Sequence, residues 1–171
     1  MSQFNQPRAR LPTLPDRPIT FASYAEYAAG MLLERYIGDY ELKMGHTFQV
    51  PIGHNKQCDF LVNGVFVEFH PINLRHEFSD RQAARQFGEA MRHVAHPFRQ
   101  QIVNAIKNEF AEKYYQRRKF LVSMHGGKDS ELIVCQDPID LYHLVIKRFG
   151  VGYPKQANFI NEFNALARQR F

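Results

Sequence analysis

Apolar and polar positions alternate through residues 57–60 and 67–70, and the apolar stretch between them is interrupted at Asn63-Gly64. Asn-Gly between two such runs signals a two-residue type I′ hairpin turn, so Val62 pairs with Val65 and the register follows by counting. Leu61 faces Phe66, Phe60 faces Val67, Asp59 faces Glu68 and Gln57 faces His70. One face of the hairpin carries Cys58, Phe60, Val62, Val65, Val67 and Phe69, which suits a core. The other carries Gln57, Asp59, Glu68 and His70, with Leu61 and Phe66 nearer the turn. Like charges directly opposite on antiparallel strands repel, their Cβ atoms being roughly 4.5–5.5 Å apart. The Asp59–Glu68 pair therefore calls for a divalent cation, a shared proton or a nearby basic group, unless it is only a solvent-facing accident.

The same patterning outlines the rest of the chain. Ser23-Tyr24-Ala25-Glu26 is a capping box opening an alanine-rich helix through about Tyr36, ending near Gly38. Leu42 to Ile52 reads as a first strand, closed by Pro51 and Gly53. Ser79-Asp80-Arg81-Gln82 caps a helix running to about Ala95, interrupted at His96-Pro97, with a further helix from Pro97 toward Arg117. Phe120-Leu121-Val122-Ser123-Met124 is expected to be a fourth strand, Gly126 to Asp129 a turn, and Leu132 to Cys135 an additional strand. Asp137-Pro138 starts a helix through about Phe149, with Leu141, Leu144, Val145 and Phe149 on one side. A short helix around Phe159 to Arg170 ends the chain.

Length and charge sharpen this picture. At 171 residues the chain is read as residues 1–20, a proline-rich basic arm, followed by a single domain over 21–171. No stretch approaches the roughly 20 apolar residues of a membrane span, and the N-terminus lacks the apolar core of a signal peptide. The expected location is the cytoplasm or another DNA-containing compartment, with no membrane partner. Cys58 and Cys135 read as buried thiols. The net charge of +5 is concentrated: between Arg75 and Lys119 ten basic residues stand against five acidic ones, a surplus that favours a polyanionic partner. Arg85, Arg92 and Arg99 recur every seven residues, and Tyr114, Tyr115, Arg117 and Arg118 close the basic helix with aromatic and cationic groups together.

A helix bearing Glu34, three strands in sequence, Asp59 on the second, Glu68-Phe69-His70 on the third, then a helix and a fourth strand together resemble the PD-(D/E)XK nuclease superfamily over about Ser23 to Cys135. The resemblance implies a restriction-endonuclease-like αβββαβ core: an α/β fold with a mixed sheet flanked by helices, here with an extra C-terminal strand and helices. It implies a metal-dependent DNA endonuclease in which Asp59 and Glu68 hold Mg²⁺ or Mn²⁺ and Glu34 assists. The family's lysine, two residues after the glutamate, is replaced by His70, which is expected to orient or deprotonate water or to donate to the phosphate. Lys56, Arg118 and Lys119 are candidates for a relocated cation, the last two at the start of the expected fourth strand.

Arg81, Arg85, Arg92, Arg99, Arg117, Arg118 and Lys119 are the expected contacts to duplex or branched DNA. A homodimer is implied by resemblance only, because duplex cleavage by such nucleases often uses two active sites. The alternative is a catalytically inactive protein of the same fold that binds DNA or serves in an assembly.

Overall fold

The structure, a computed structural model, describes residues 21–37, 46–53, 56–78, 80–126 and 131–169. The arm over residues 1–20 and the expected strand start at Leu42 lie outside the described residues. Helix α1 (Tyr24–Tyr36) is followed by β1 (His46–Gly53), β2 (Lys56–Val62) and β3 (Val65–Phe69). Helices α2 (Leu74–Glu77), α3 (Arg81–Arg92) and α4 (His96–Gly126) connect to β4 (Leu132–Cys135). Pro138–Asp140, Leu141–Ile146 and Lys147–Phe149 follow one another as α, π and α turns, together α5, and α6 is Gln156–Ala167.

The hairpin has the register its turn dictates. Asn63 and Gly64 take positive φ values of 48° and 81°, as a type I′ turn requires. Val62 pairs with Val65, Leu61 with Phe66 and Phe60 with Val67. Phe60, Val62, Val65, Val67 and Phe69 are buried together as expected, whereas Cys58, expected on the same face, is buried in a second cluster with Phe66. The four-stranded sheet has the order β1-β2-β3-β4, antiparallel until β3 and β4, which run parallel. A parallel neighbour needs a crossover, and α2 to α4 supply it.

Apolar side chains from α1, α5 and α6 bury the sheet face that holds Phe60, Val62 and Val67, making the main core. A smaller cluster joins Ile52, Phe66 and Leu132 to Val122 of α4. The sheet is thus flanked by helices on both faces. Ser23 caps α1 by accepting from Glu26 N–H at 3.1 Å, and Asp80 caps α3 by accepting from Ala83 N–H at 2.6 Å. Both cysteines are free and buried, and burial pushes each thiol up, keeping it protonated. Among the described residues no helix is long and apolar enough to cross a membrane.

Two expectations need correction. Phe120 to Met124 is not a strand: α4 runs unbroken for 31 residues to Gly126. A short apolar run fits either period, and here the helical one wins, because Ala111, Tyr115, Arg118 and Val122 share a face. Ala111 and Val122 are buried, whereas Phe120 and Met124 are 62% and 73% exposed. Leu132–Cys135 is therefore the fourth strand, and the described residues contain no extra C-terminal one. In α5 the π winding of Leu141–Ile146 shifts the buried side to Leu141, Tyr142, Val145 and Ile146, leaving Leu144 44% exposed.

Gly150 ends α5 where no other residue fits. Its N–H donates to Ile146 O at 2.7 Å, and a Cβ there would lie 2.5 Å from that same oxygen. Gly150→Ala is expected to destabilise the fold by about 2 kcal/mol, lowering the melting midpoint by about 4–8 °C in calorimetry. An unchanged midpoint would show that the α5 terminus relaxes freely.

Candidate functional site

The geometry starts from the turn. Two-residue closure at Asn63-Gly64 fixes the register as far as Phe60–Val67, and Asp59 and Glu68 come together just beyond that pair. Asp59 Oδ2 accepts the Phe69 N–H at 2.8 Å, while the Asp59 N–H faces Glu68 Oε2 at 3.4 Å. Each carboxylate therefore reaches the opposite strand's chain. Across β1 the position opposite Asp59 is Gln49, between the pairs Phe48–Phe60 and Val50–Cys58, and it holds a positive φ of 49°. Left-handed backbone at a non-glycine residue costs about 1–3 kcal/mol and tends to cluster at functional sites.

Glu68 is 3% exposed, and two side chains of α4 converge on its Oε1. The Tyr114 hydroxyl donates to it, and Arg118 Nη2 lies 3.0 Å away. Arg118 also donates from Nε to the Tyr114 oxygen at 2.9 Å and from Nη1 to Gln57 O at 3.0 Å. Tyr114 and Arg118 stand one helical turn apart, which places both on the face turned to the sheet. Burial alone would lower the Arg118 pKa, but Glu68 and Tyr114 outweigh it and raise it. Burial and then Glu68 push the Tyr114 hydroxyl up, so it stays a donor.

Among the described residues no cation is paired with Asp59 itself. Burial, then Glu68, then Glu26 hold its carboxyl well above the usual range, against the Phe69 N–H and Arg118, which lower it. Glu26 is 7% exposed and accepts the Ala22 N–H at 3.1 Å; burial first, and Glu68 in lesser measure, raise its pKa too. The α1 acid that acts on the pair is thus Glu26. Glu34 is half-buried roughly 12 Å further along the helix axis at 1.5 Å per residue. Among the described residues no three His, Cys, Asp or Glu side chains are gathered closely enough to hold a metal ion between them.

His70 Nε2 lies 3.2 Å from Glu77 Oε1, and its ring stacks on Tyr114 at 3.9 Å between centroids. The residue two positions after Glu68 is thereby tied into the same group through Tyr114. Arg118 and Lys119 stand on α4 rather than at the start of a strand. Lys119 lies over the Tyr115 ring at 5.7 Å.

The basic residues divide. Arg81, Arg85, Arg92 and Arg117 are exposed, Arg85 pairing with Glu89 at 2.9 Å. Arg99 is turned inward: its Nη2 donates to Arg92 O at 3.3 Å and Val94 O at 3.0 Å, satisfying carbonyls at and just beyond the end of α3. The expected line through Arg85, Arg92 and Arg99 is broken between two helices.

Glu26 and Glu77 escaped the sequence reading as site residues, and Tyr114 was read as a nucleic-acid contact rather than as a partner of Glu68. Glu26 had a sufficient local explanation as a capping residue. Tyr114 and Arg118 show the helical spacing, but the strand expected at Phe120 hid which face they share. Comparison with models of protein families, with curated proteins and with solved structures finds no match to this chain.

The raised Asp59 carboxyl has a stability consequence. The folded chain keeps a proton that the unfolded chain releases above about pH 4, so this contribution is present at low pH and lost as pH rises through the folded value. Asn mimics the protonated acid and can still accept from Phe69 N–H. In chelator-treated protein Asp59→Asn is expected to melt about 2–4 °C above wild type at pH 8, for a gain of about 1 kcal/mol, and with no gain at pH 4. A variant less stable than wild type at pH 8 would contradict the electrostatic assignment.

Proposed function

We propose that the chain is a metal-dependent DNA endonuclease of the PD-(D/E)XK type, with Asp59 and Glu68 as the cation-holding carboxylates. One observation carries the reading: two adjacent carboxylates, Asp59 and the buried Glu68, are held on neighbouring strands with Arg118 as the cation paired to Glu68. The order α1, three strands, crossover helices and a parallel β4 is the arrangement such a nuclease core needs, which supports the same assignment. Hard oxygen donors suit Mg²⁺ or Mn²⁺, and Mg²⁺ is commonly held by one or two carboxylates with water and substrate phosphate completing its shell. Two protein ligands therefore fit without a preformed group of three. Glu26 adds negative potential from α1, leaving one guanidinium among three acids.

A bound divalent ion would polarise the phosphate, help generate hydroxide and offset charge on the leaving oxygen. The chain's own groups supply the rest. Arg118 takes the place of the missing lysine as the positive charge beside the acids. With Nε2–H donating to Glu77, His70 Nδ1 is an acceptor for a proton from water. Arg81, Arg85, Arg92, Arg117 and Lys119 are exposed and suited to backbone phosphates, whereas Arg99 serves the α3–α4 connection.

The inactive alternative rests on a different observation: Glu68 Oε1 already has both Tyr114 and Arg118 as partners. A protein that kept that arrangement would bind DNA without cutting it.

Incubation of plasmid and branched DNA with Mg²⁺ or Mn²⁺ separates the two. Cleavage is expected with wild type and is expected to fall on the order of 100-fold or more in Asp59→Ala and Glu68→Ala. Salt-sensitive DNA binding without cleavage in either metal favours the inactive form, and full activity in Asp59→Ala would sink the nuclease reading.

A further inference from the structure

We infer that Arg118 is a latch on Glu68: its guanidinium withholds the carboxylate from a divalent cation until a phosphate draws the guanidinium away. The inference rests on the metal-dependent reading above and adds to it a coupling between metal and substrate.

The latch is built from three elements. Arg118 spans β2 and β3 from α4, donating to Gln57 O and ion-pairing with Glu68 Oε1, both at 3.0 Å. Tyr114 holds it on both sides, donating to Glu68 and accepting from Arg118 Nε. His70 stacks flat on the Tyr114 ring, at an interplanar angle of 1°, and steadies the hydroxyl's direction. Glu68 is only 3% exposed, so water offers its carboxylate little alternative once a partner is removed.

A guanidinium and a divalent cation on one carboxylate repel each other, so each weakens the other's binding. Arg118 differs from Glu68 in being 20% exposed. Guanidinium has five N–H donors, and the contacts to Glu68, Tyr114 and Gln57 engage three nitrogens, leaving donors for an incoming anion. A phosphodiester matches that fork well. As phosphate competes for Arg118, Glu68 is freed for the cation, and by linkage the cation strengthens phosphate binding by the same factor. Arg118 is in this sense a positioning residue for Glu68 before it is a phosphate contact. An empty site is kept electrostatically quiet, and the cation is taken up together with the nucleic acid.

The test is calorimetric titration of Mn²⁺ into the full chain, alone and with a phosphorothioate DNA duplex that resists cleavage. Arg118→Gln is expected to bind Mn²⁺ about tenfold more tightly than wild type in the absence of DNA. Tyr114→Phe, which loosens the guanidinium without removing its charge, is expected to fall between the two and keeps the test open should Arg118→Gln fold poorly. The duplex is expected to tighten Mn²⁺ binding more in wild type than in Arg118→Gln. Equal or weaker Mn²⁺ binding by both variants, beside measurable binding by wild type, overturns the latch and leaves the metal-dependent reading standing. Absence of Mn²⁺ binding by wild type and variants alike, with and without the duplex, overturns that reading and the latch with it.

Discussion

The pairing of Glu68 with Arg118 is the constraint around which this domain is arranged. A carboxylate buried in the middle of a sheet is costly unless a charge and hydrogen bonds compensate it. Here the compensation comes from a helix remote in sequence, so α4 has to cross the sheet with Tyr114 and Arg118 turned inward. That crossing brings Val122 against Phe66 and Leu132 one turn further on. It also continues the helix through Phe120 and Met124, which a local reading assigns to a strand. Asp59, beside Glu68 and within the field of Glu26, has among the described residues the Phe69 N–H and a share of Arg118 to offset its charge.

What the sequence disclosed depended on how local each cause was. The I′ turn at Asn63-Gly64 is a two-residue signal, and from it follow the register, the buried face and the Asp59–Glu68 adjacency. Caps at Ser23, Asp80 and Asp137 are equally local and place their helices well. The extent of α4 is not local: whether Phe120 to Met124 pleats or coils depends on what Val122 meets across the sheet. The π winding at Leu141–Ile146 likewise moves the buried side of α5 in a way a 3.6-residue period does not anticipate. Among the site residues, Glu26 was hidden by having a capping role, and Arg99 looked free only because its partners are backbone carbonyls.

On the proposed function the same group of side chains would have two behaviours, separated by one contact. With Arg118 on Glu68, the acids are partly neutralised and the domain presents basic helices to a polyanion. On the proposed reading, moving Arg118 onto a phosphate would leave Asp59 and Glu68 as an oxygen-donor pair of the kind Mg²⁺ or Mn²⁺ accepts. His70 is anchored to Glu77 and Tyr114, while the positive charge beside Glu68 arrives from α4.

A double-mutant cycle on folding stability, using Glu68→Gln, Arg118→Gln and the double variant in chelator-treated protein, tests this dependence most directly. The account predicts that the two single substitutions are strongly non-additive, with a coupling of about 2 kcal/mol, because either one leaves the opposite charge without its partner. Additivity within about 0.5 kcal/mol would contradict it, and would mean that α4 is held over the acids by apolar packing alone.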